Sequence, residues 1–168
     1  MHLSEERFIE VLQDNQGIIR KVANSYCKNV EDRDDLIQEI TIHLWKSWNR
    51  YNDQFKLSTW MYKIALNVAI SFYRKTYRRN TLRETIQQES VFVDGGEDDD
   101  SSENVRMLYH YISQLDELNK ALILLYLDKY SHEEIASTLG ISKTNVATKI
   151  SRIKQHLKKK FQEKTISQ

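Results

Sequence analysis

A chain of 168 residues allows one domain or two small ones of about 80 residues each. With 40% hydrophobic and 29% charged residues it has the composition of a globular protein; no run approaches the ~20 apolar residues of a membrane-spanning helix, and Met1–Glu6 has neither the basic start nor the apolar run of a signal peptide. The net charge is +1, and the lone Cys27 excludes an internal disulfide and a thiolate zinc site, so a cytoplasmic protein with Cys27 as a small buried hydrophobe is expected.

The absence of proline, the scarcity of glycine (four) and the helical spacing of apolar residues predict an all-α fold. Ser4 can cap a first helix carrying Phe8, Ile9 and Leu12. A second follows Gly17 with Ile18, Ile19, Val22, Ala23 and Tyr26. Glu31, Asp32 and Asp34 favour a third start near residue 32, because carboxylates stabilise the positive end of a helix dipole. That helix is predicted to run to about Arg50 with Leu36, Ile37, Ile40, Leu44, Trp45 and Trp48 on its apolar stripe. Ser58 or Thr59 can cap a fourth carrying Met61, Ile64, Ala65, Val68 and Phe72.

The periodicity then stops. Residues 81–104, with Gly95-Gly96 followed by Glu97-Asp98-Asp99-Asp100-Ser101-Ser102, read as a flexible acidic linker with a small apolar island at Val91-Phe92-Val93. Helical spacing resumes with Met107, Leu108, Tyr111 and Ile112, and again after Asp116 with Leu118, Ala121, Leu122, Leu125 and Tyr126. Ser131 and Glu134 form a capping box that opens a short helix with Ile135, Ala136 and Leu139. Gly140 supplies a left-handed turn position and Ser142 caps the last helix. The predicted organisation is therefore two small helical domains, residues 1–80 and 105–168, joined by residues 81–104.

Charge follows the same division. From Gln54 to Asn80 there are six basic residues and no acid; from Thr81 to Asn104 eight acids stand against Arg83; from Lys143 to Gln168 eight basic residues stand against Glu163. Two basic blocks separated by an acidic one suggest two polyanion-binding surfaces on a tether.

Two constellations carry function. Ser131 to Lys154 has the layout of a helix-turn-helix: a short helix, a Leu-Gly-Ile-Ser turn and a longer helix. Val146, Ile150, Ile153 and Leu157 would face its core, leaving Lys143, Thr144, Asn145, Thr148, Lys149, Ser151 and Arg152 outward. Small hydroxyl and amide groups near a helix N-terminus read base edges, while cations further along meet phosphates. The second constellation, Lys56 to Arg79, interleaves basic residues with Phe55, Trp60, Tyr62, Phe72, Tyr73 and Tyr77. Single-stranded nucleic acid is held by such a mixture of stacking rings and cations, with Trp60, Ile64 and Phe72 assigned in part to the core. Nothing points to catalysis: there is no phosphate-binding glycine loop, and the five histidines are scattered. Asp34, Asp35 and Glu39 make either a metal-binding cluster or an acidic protein-docking face.

At these residues a family resemblance emerges. Asp34-Asp35-Leu36-Ile37-Gln38-Glu39, then Tyr51, then Ser58-Thr59-Trp60-Met61-Tyr62-Lys63-Ile64-Ala65-Leu66-Asn67 closely resembles region 2 of extracytoplasmic-function sigma factors. Leu127 through Val146, with Ile150-Ser151-Arg152, resembles their region 4. The resemblance implies a transcription initiation factor, not an enzyme, that needs no cofactor. Asp35, Leu36, Gln38 and Glu39 would dock on core RNA polymerase. Tyr51, Trp60 and Asn67 would capture a flipped base of the melted −10 element, with Lys56, Lys63, Arg74 and Lys75 holding the strand. Ser142, Thr144, Asn145, Thr148 and Arg152, flanked by Lys143 and Lys149, would read the −35 duplex. An anti-sigma factor, which could be a membrane protein, is the further expected partner, and the free protein is expected to be a monomer. The family often has a glycine-threonine pair and an arginine where this chain has Thr144, Asn145 and Ala147, so the promoter sequence does not carry over. The alternative reading is a free-standing helix-turn-helix regulator whose N-terminal domain senses a ligand or dimerises.

Overall fold

The computed structural model describes residues 4–81 and 102–167; the acidic segment with Val91–Val93 lies outside the described residues. Among the described residues every regular element is helical. The helices group into two compact units.

The first unit contains α1 (Glu5–Asp14), α2 (Gln16–Tyr26), α3 (Val30–Ser47), a short 3-10 turn (Trp48–Arg50) and α4 (Leu57–Thr81). Ser4 caps α1 as expected, its hydroxyl accepting from the Arg7 amide at 3.2 Å. Phe8 and Val11 turn inward, whereas Ile9, expected on the apolar stripe, is 54% exposed. Helix α3 begins two residues before the predicted start because Asn29 caps it: its side-chain carbonyl oxygen accepts from the Asp32 amide at 2.7 Å. Leu36, Ile40, Leu44 and Trp48 form the buried stripe at spacing four, and Trp45 falls outside it.

Helix α4 starts at Leu57, so Ser58 and Thr59 lie in its first turn and do not cap it; the Trp60 amide already bonds the Lys56 carbonyl at 3.1 Å. Its buried arc is broader than a single stripe. Tyr62, Leu66 and Ala69 are enclosed along with Met61, Ala65 and Val68, because α2 and α3 both pack against this helix. Burying a large apolar side chain stabilises by roughly 1.5–3 kcal/mol, so a helix packed on two sides anchors the unit.

The second unit contains α5 (Glu103–Ser113), α6 (Glu117–Leu127), α7 (His132–Leu139) and α8 (Lys143–Ile166). Asp116 caps α6, accepting from the Asn119 amide at 2.9 Å. Ala121 to Leu125 are buried without interruption, since α5, α7 and α8 all pack on α6. Ile123 and Leu124, outside the stripe expected from periodicity, therefore belong to the core as well. Tyr111 meets Phe161 edge-on at 5.3 Å between ring centres, closing the end of the unit.

Candidate nucleic-acid and protein interfaces

One residue advances about 100° around an α-helix, so residues three, four and seven apart share a face. On α4 this puts Trp60, Lys63, Asn67, Arg74 and Arg78 on one stripe, opposite the buried arc of Tyr62, Ala65 and Ala69. Lys63, Asn67, Arg74 and Arg78 are all exposed. Arg78 is missing from the site expected from the sequence, although it stands one turn beyond Arg74.

The rings gather at the start of this stripe. Tyr51 stacks on Trp48 with planes 8° apart and centres 5.9 Å apart, and Trp60 lies 5.2 Å from Tyr51 and 5.9 Å from Trp48. Trp48 is almost fully buried, and Phe8 backs it from behind at 5.4 Å. The Trp48 indole N–H has no hydrogen-bond partner among the described residues, a cost of about 1–3 kcal/mol that its ring contacts offset. Tyr51 donates its hydroxyl proton to the Phe55 carbonyl at 3.1 Å, which fixes the ring. Burial against the tryptophans, aided by the Asp53 carboxylate, pushes its phenol pKa above the ordinary 10.0, so the hydroxyl stays protonated. Lys56 is exposed beside this cluster, on the approach to α4. A half-buried, rigid platform of rings next to a basic stripe is the arrangement that stacks bases and holds a strand.

Of the rings read from the sequence, Tyr62 is not available to a ligand: it is 1% exposed and belongs to the core. Phe55 and Tyr77 are exposed, while Trp60 and Phe72 are half-buried.

Lys75 does not join the stripe. It is rotated about 100° from Arg74 towards α3. There it lines a cleft with Phe72 and Arg79, opposite Asp35, Gln38 and Glu39 of α3. Asp35, Gln38 and Glu39 form the exposed face expected of a docking site, whereas Leu36 is completely buried. Leu36 therefore positions α3 from within the core and does not meet a partner directly. Among the described residues no group of three or more carboxylate, histidine and cysteine side chains is arranged to hold a metal.

In the second unit the turn geometry follows from local chemistry. The Ser131 hydroxyl accepts from the Glu134 amide at 3.1 Å and the Glu134 carboxylate from the Ser131 amide at 2.8 Å, completing the capping box. Gly140 adopts φ +70°, and its amide and that of Ile141 both bond the Ala136 carbonyl. Ser142 caps α8 by accepting from the Asn145 amide at 3.1 Å. Val146, Ile150, Ile153 and Leu157 are buried, as their spacing predicts.

Thr144, Asn145, Thr148 and Arg152 consequently share the opposite, exposed face. Lys143 and Lys149 flank it on either side, Lys149 half-buried. The Thr148 hydroxyl bonds back to the Thr144 carbonyl at 3.1 Å, which fixes the orientation of its side chain. Ala147 sits towards α6 and α7, in a groove with Tyr126, His132 and Ile150, and not in the middle of the exposed face. Lys154 also leans inward, 3.3 Å from the Tyr126 hydroxyl and 5.4 Å from its ring centre.

Comparison with known proteins decides the family. The Sigma-70 region 2 model matches residues 11–79, and the Sigma-70 region 4 model matches residues 106–157. The chain belongs to the sigma-70 family. Among curated relatives, the ECF RNA polymerase sigma factor SigX of Bacillus subtilis is 29% identical over 130 residues, covering 72% of this chain and 66% of SigX. The B. subtilis ECF factor SigM is 25% identical over 151 residues, covering 89% of this chain and 91% of SigM. Among solved structures, the fold is similar to that of the sigma factor RpoE in its complex with the anti-sigma factor NepR from Bartonella quintana (TM-score 0.70, 18% identity, 92% of this chain and 94% of that one). It is similar also to CnrH in complex with the cytosolic domain of CnrY (TM-score 0.65, 18% identity, 95% and 90%). This sigma-70 member thus aligns with extracytoplasmic-function factors along most of its length. No described helix is long and apolar enough to cross a membrane.

Proposed function

We propose that this sigma factor directs core RNA polymerase to promoters through three surfaces. Asp35, Gln38 and Glu39 dock on the polymerase, with Leu36 holding their helix in place. Tyr51 and Trp60 stack with a base of the melted −10 strand, Asn67 hydrogen-bonds it, and Lys56, Lys63 and Arg74 hold its phosphates. Thr144, Asn145, Thr148 and Arg152 read the −35 duplex, with Ser142, Lys143 and Lys149 at its phosphates. Helices α1–α4 do the first two tasks, α5–α8 the third, and the acidic segment between Thr81 and Glu103 links them.

The observation that carries this reading is the ring platform of Tyr51 and Trp60 at the head of an exposed, acid-free stripe on α4. A regulator acting on duplex DNA alone has no use for a surface suited to unstacked bases. The protein acts in the cytoplasm, as a monomer when free, and performs no chemical step itself. The structurally similar RpoE is bound to the anti-sigma factor NepR, which supports an anti-sigma partner for this chain too.

The test is run-off transcription with sigma-free core polymerase on promoters mapped after overexpression. The protein is expected to confer start-site-specific transcripts and to bind those promoters only weakly without core. A dimer that binds a palindromic operator by itself and yields no transcript would establish the free-standing regulator instead.

A further inference from the structure

The cleft between α3 and α4 carries opposite charges on its two walls. Asp35, Glu39 and Ile42, at i, i+4 and i+7, form one wall; Phe72, Lys75 and Arg79, at i, i+3 and i+7, form the other. The late turns of α4 therefore run beside the early turns of α3, and the pairing is antiparallel. Asp35, Glu39, Lys75 and Arg79 are exposed, and none of the four closes an ion pair among the described residues. Ile42, 49% exposed, and the half-buried Phe72 add an apolar patch at one end of the cleft, beyond Glu39 and Lys75.

Resting on the reading of α3 as the polymerase-docking helix, we infer that Lys75 and Arg79 belong to that docking site and not to the DNA surface. The cleft selects a protein segment of matching polarity. Such a segment is a helix with guanidinium or ammonium groups along the edge facing Asp35 and Glu39. Carboxylates line its other edge, facing Lys75 and Arg79, and an apolar residue further along the segment covers Ile42 and Phe72. Nucleic acid does not fit, because phosphates drawn to Lys75 and Arg79 would meet the carboxylates across the cleft. Two walls of opposite sign also set the direction in which a partner helix lies, since reversing it places like charges together.

The full chain is compared as wild type, as Lys75→Glu with Arg79→Glu, and as Asp35→Lys with Glu39→Lys. Two quantities are read: affinity for core polymerase, and capture of a −10 single strand by holoenzyme assembled at saturating protein. The inference expects the Lys75/Arg79 reversal to weaken core binding by about tenfold or more while leaving strand capture unchanged. Intact core affinity with weakened strand capture would return both residues to the DNA surface and overturn it. Intact core affinity after the Asp35/Glu39 reversal would instead remove the docking reading itself. If a reversal variant loses its cooperative thermal transition, the neutral pair Lys75→Gln with Arg79→Gln supplies the same comparison. That pair is expected to weaken core binding in the same direction, and unchanged binding would overturn the inference.

Discussion

Three side chains around the head of α4 make different contributions residue by residue. Trp60 touches both Trp48 and Tyr51, so its removal takes away a stacking surface as well as packing. Trp60→Ala is expected to weaken capture of a melted −10 strand by roughly 1–3 kcal/mol, the value of one base stack. Asn67 is exposed and makes no hydrogen bond among the described residues, so Asn67→Ala should spare thermal stability. The same change should weaken strand capture and alter base preference at one position, measured by fluorescence titration with single-substituted oligonucleotides. Tyr51 has a raised pKa, so the stability attached to its neutral phenol is intact below 10.0 and is lost as pH climbs through the folded value. An ultraviolet titration of wild type against Tyr51→Phe should reveal one phenol ionising later than the ordinary value. The sequence displays all of these residues as types, but not whether each ring is free or buried. Tyr62 illustrates why: Trp60 belongs to the half-exposed platform, yet two steps of about 100° carry Tyr62 round the helix into the core between α2 and α3.

Among the elements, the helix-turn-helix owes its shape to backbone conformation as much as to packing. A Cβ added at Gly140 would meet no atom within 4 Å, but φ is +70° there. Gly140→Ala is therefore expected to destabilise the second unit by about 1–2 kcal/mol purely through the left-handed conformation, with Gly140→Asn costing less. Chemical denaturation of the three proteins checks the order. The caps at Ser4, Ser131 and Ser142 are legible because a cap is a contact over three residues, written within one short segment. The start of α4 is not. Ser58 and Thr59 satisfy the same local rule, but the helix begins earlier, with the Trp60 amide on the Lys56 carbonyl. Packing of α4 against α2 and α3 overrides the weaker local preference.

Across the whole molecule, the acidic block between two basic ones is the dominant electrostatic feature. We expect it to compete with DNA for the basic surfaces of the free protein. Replacing Asp98, Asp99 and Asp100 with serine should raise the affinity of the free protein for promoter DNA and should change the slope of log affinity against log salt. Electrophoretic titration over a range of salt concentrations reads both; an unchanged affinity would show that the linker does not restrain the free protein from DNA.

The all-α class, the order of the helices, the caps and turn of the helix-turn-helix and the inward face of α8 can be read from the chain alone, because each depends on periodicity or on contacts a few residues long. Which charged side chains act together cannot. Arg74 and Lys75 are adjacent in the chain and alike in charge, and on sequence both are assigned to the DNA strand. One step of about 100° sends Arg74 to the exposed stripe of Lys63 and Asn67, and Lys75 into the cleft across from Asp35 and Glu39, far earlier in the chain. Partners so distant in sequence are joined by the packing of α4 on α3, which no local pattern records.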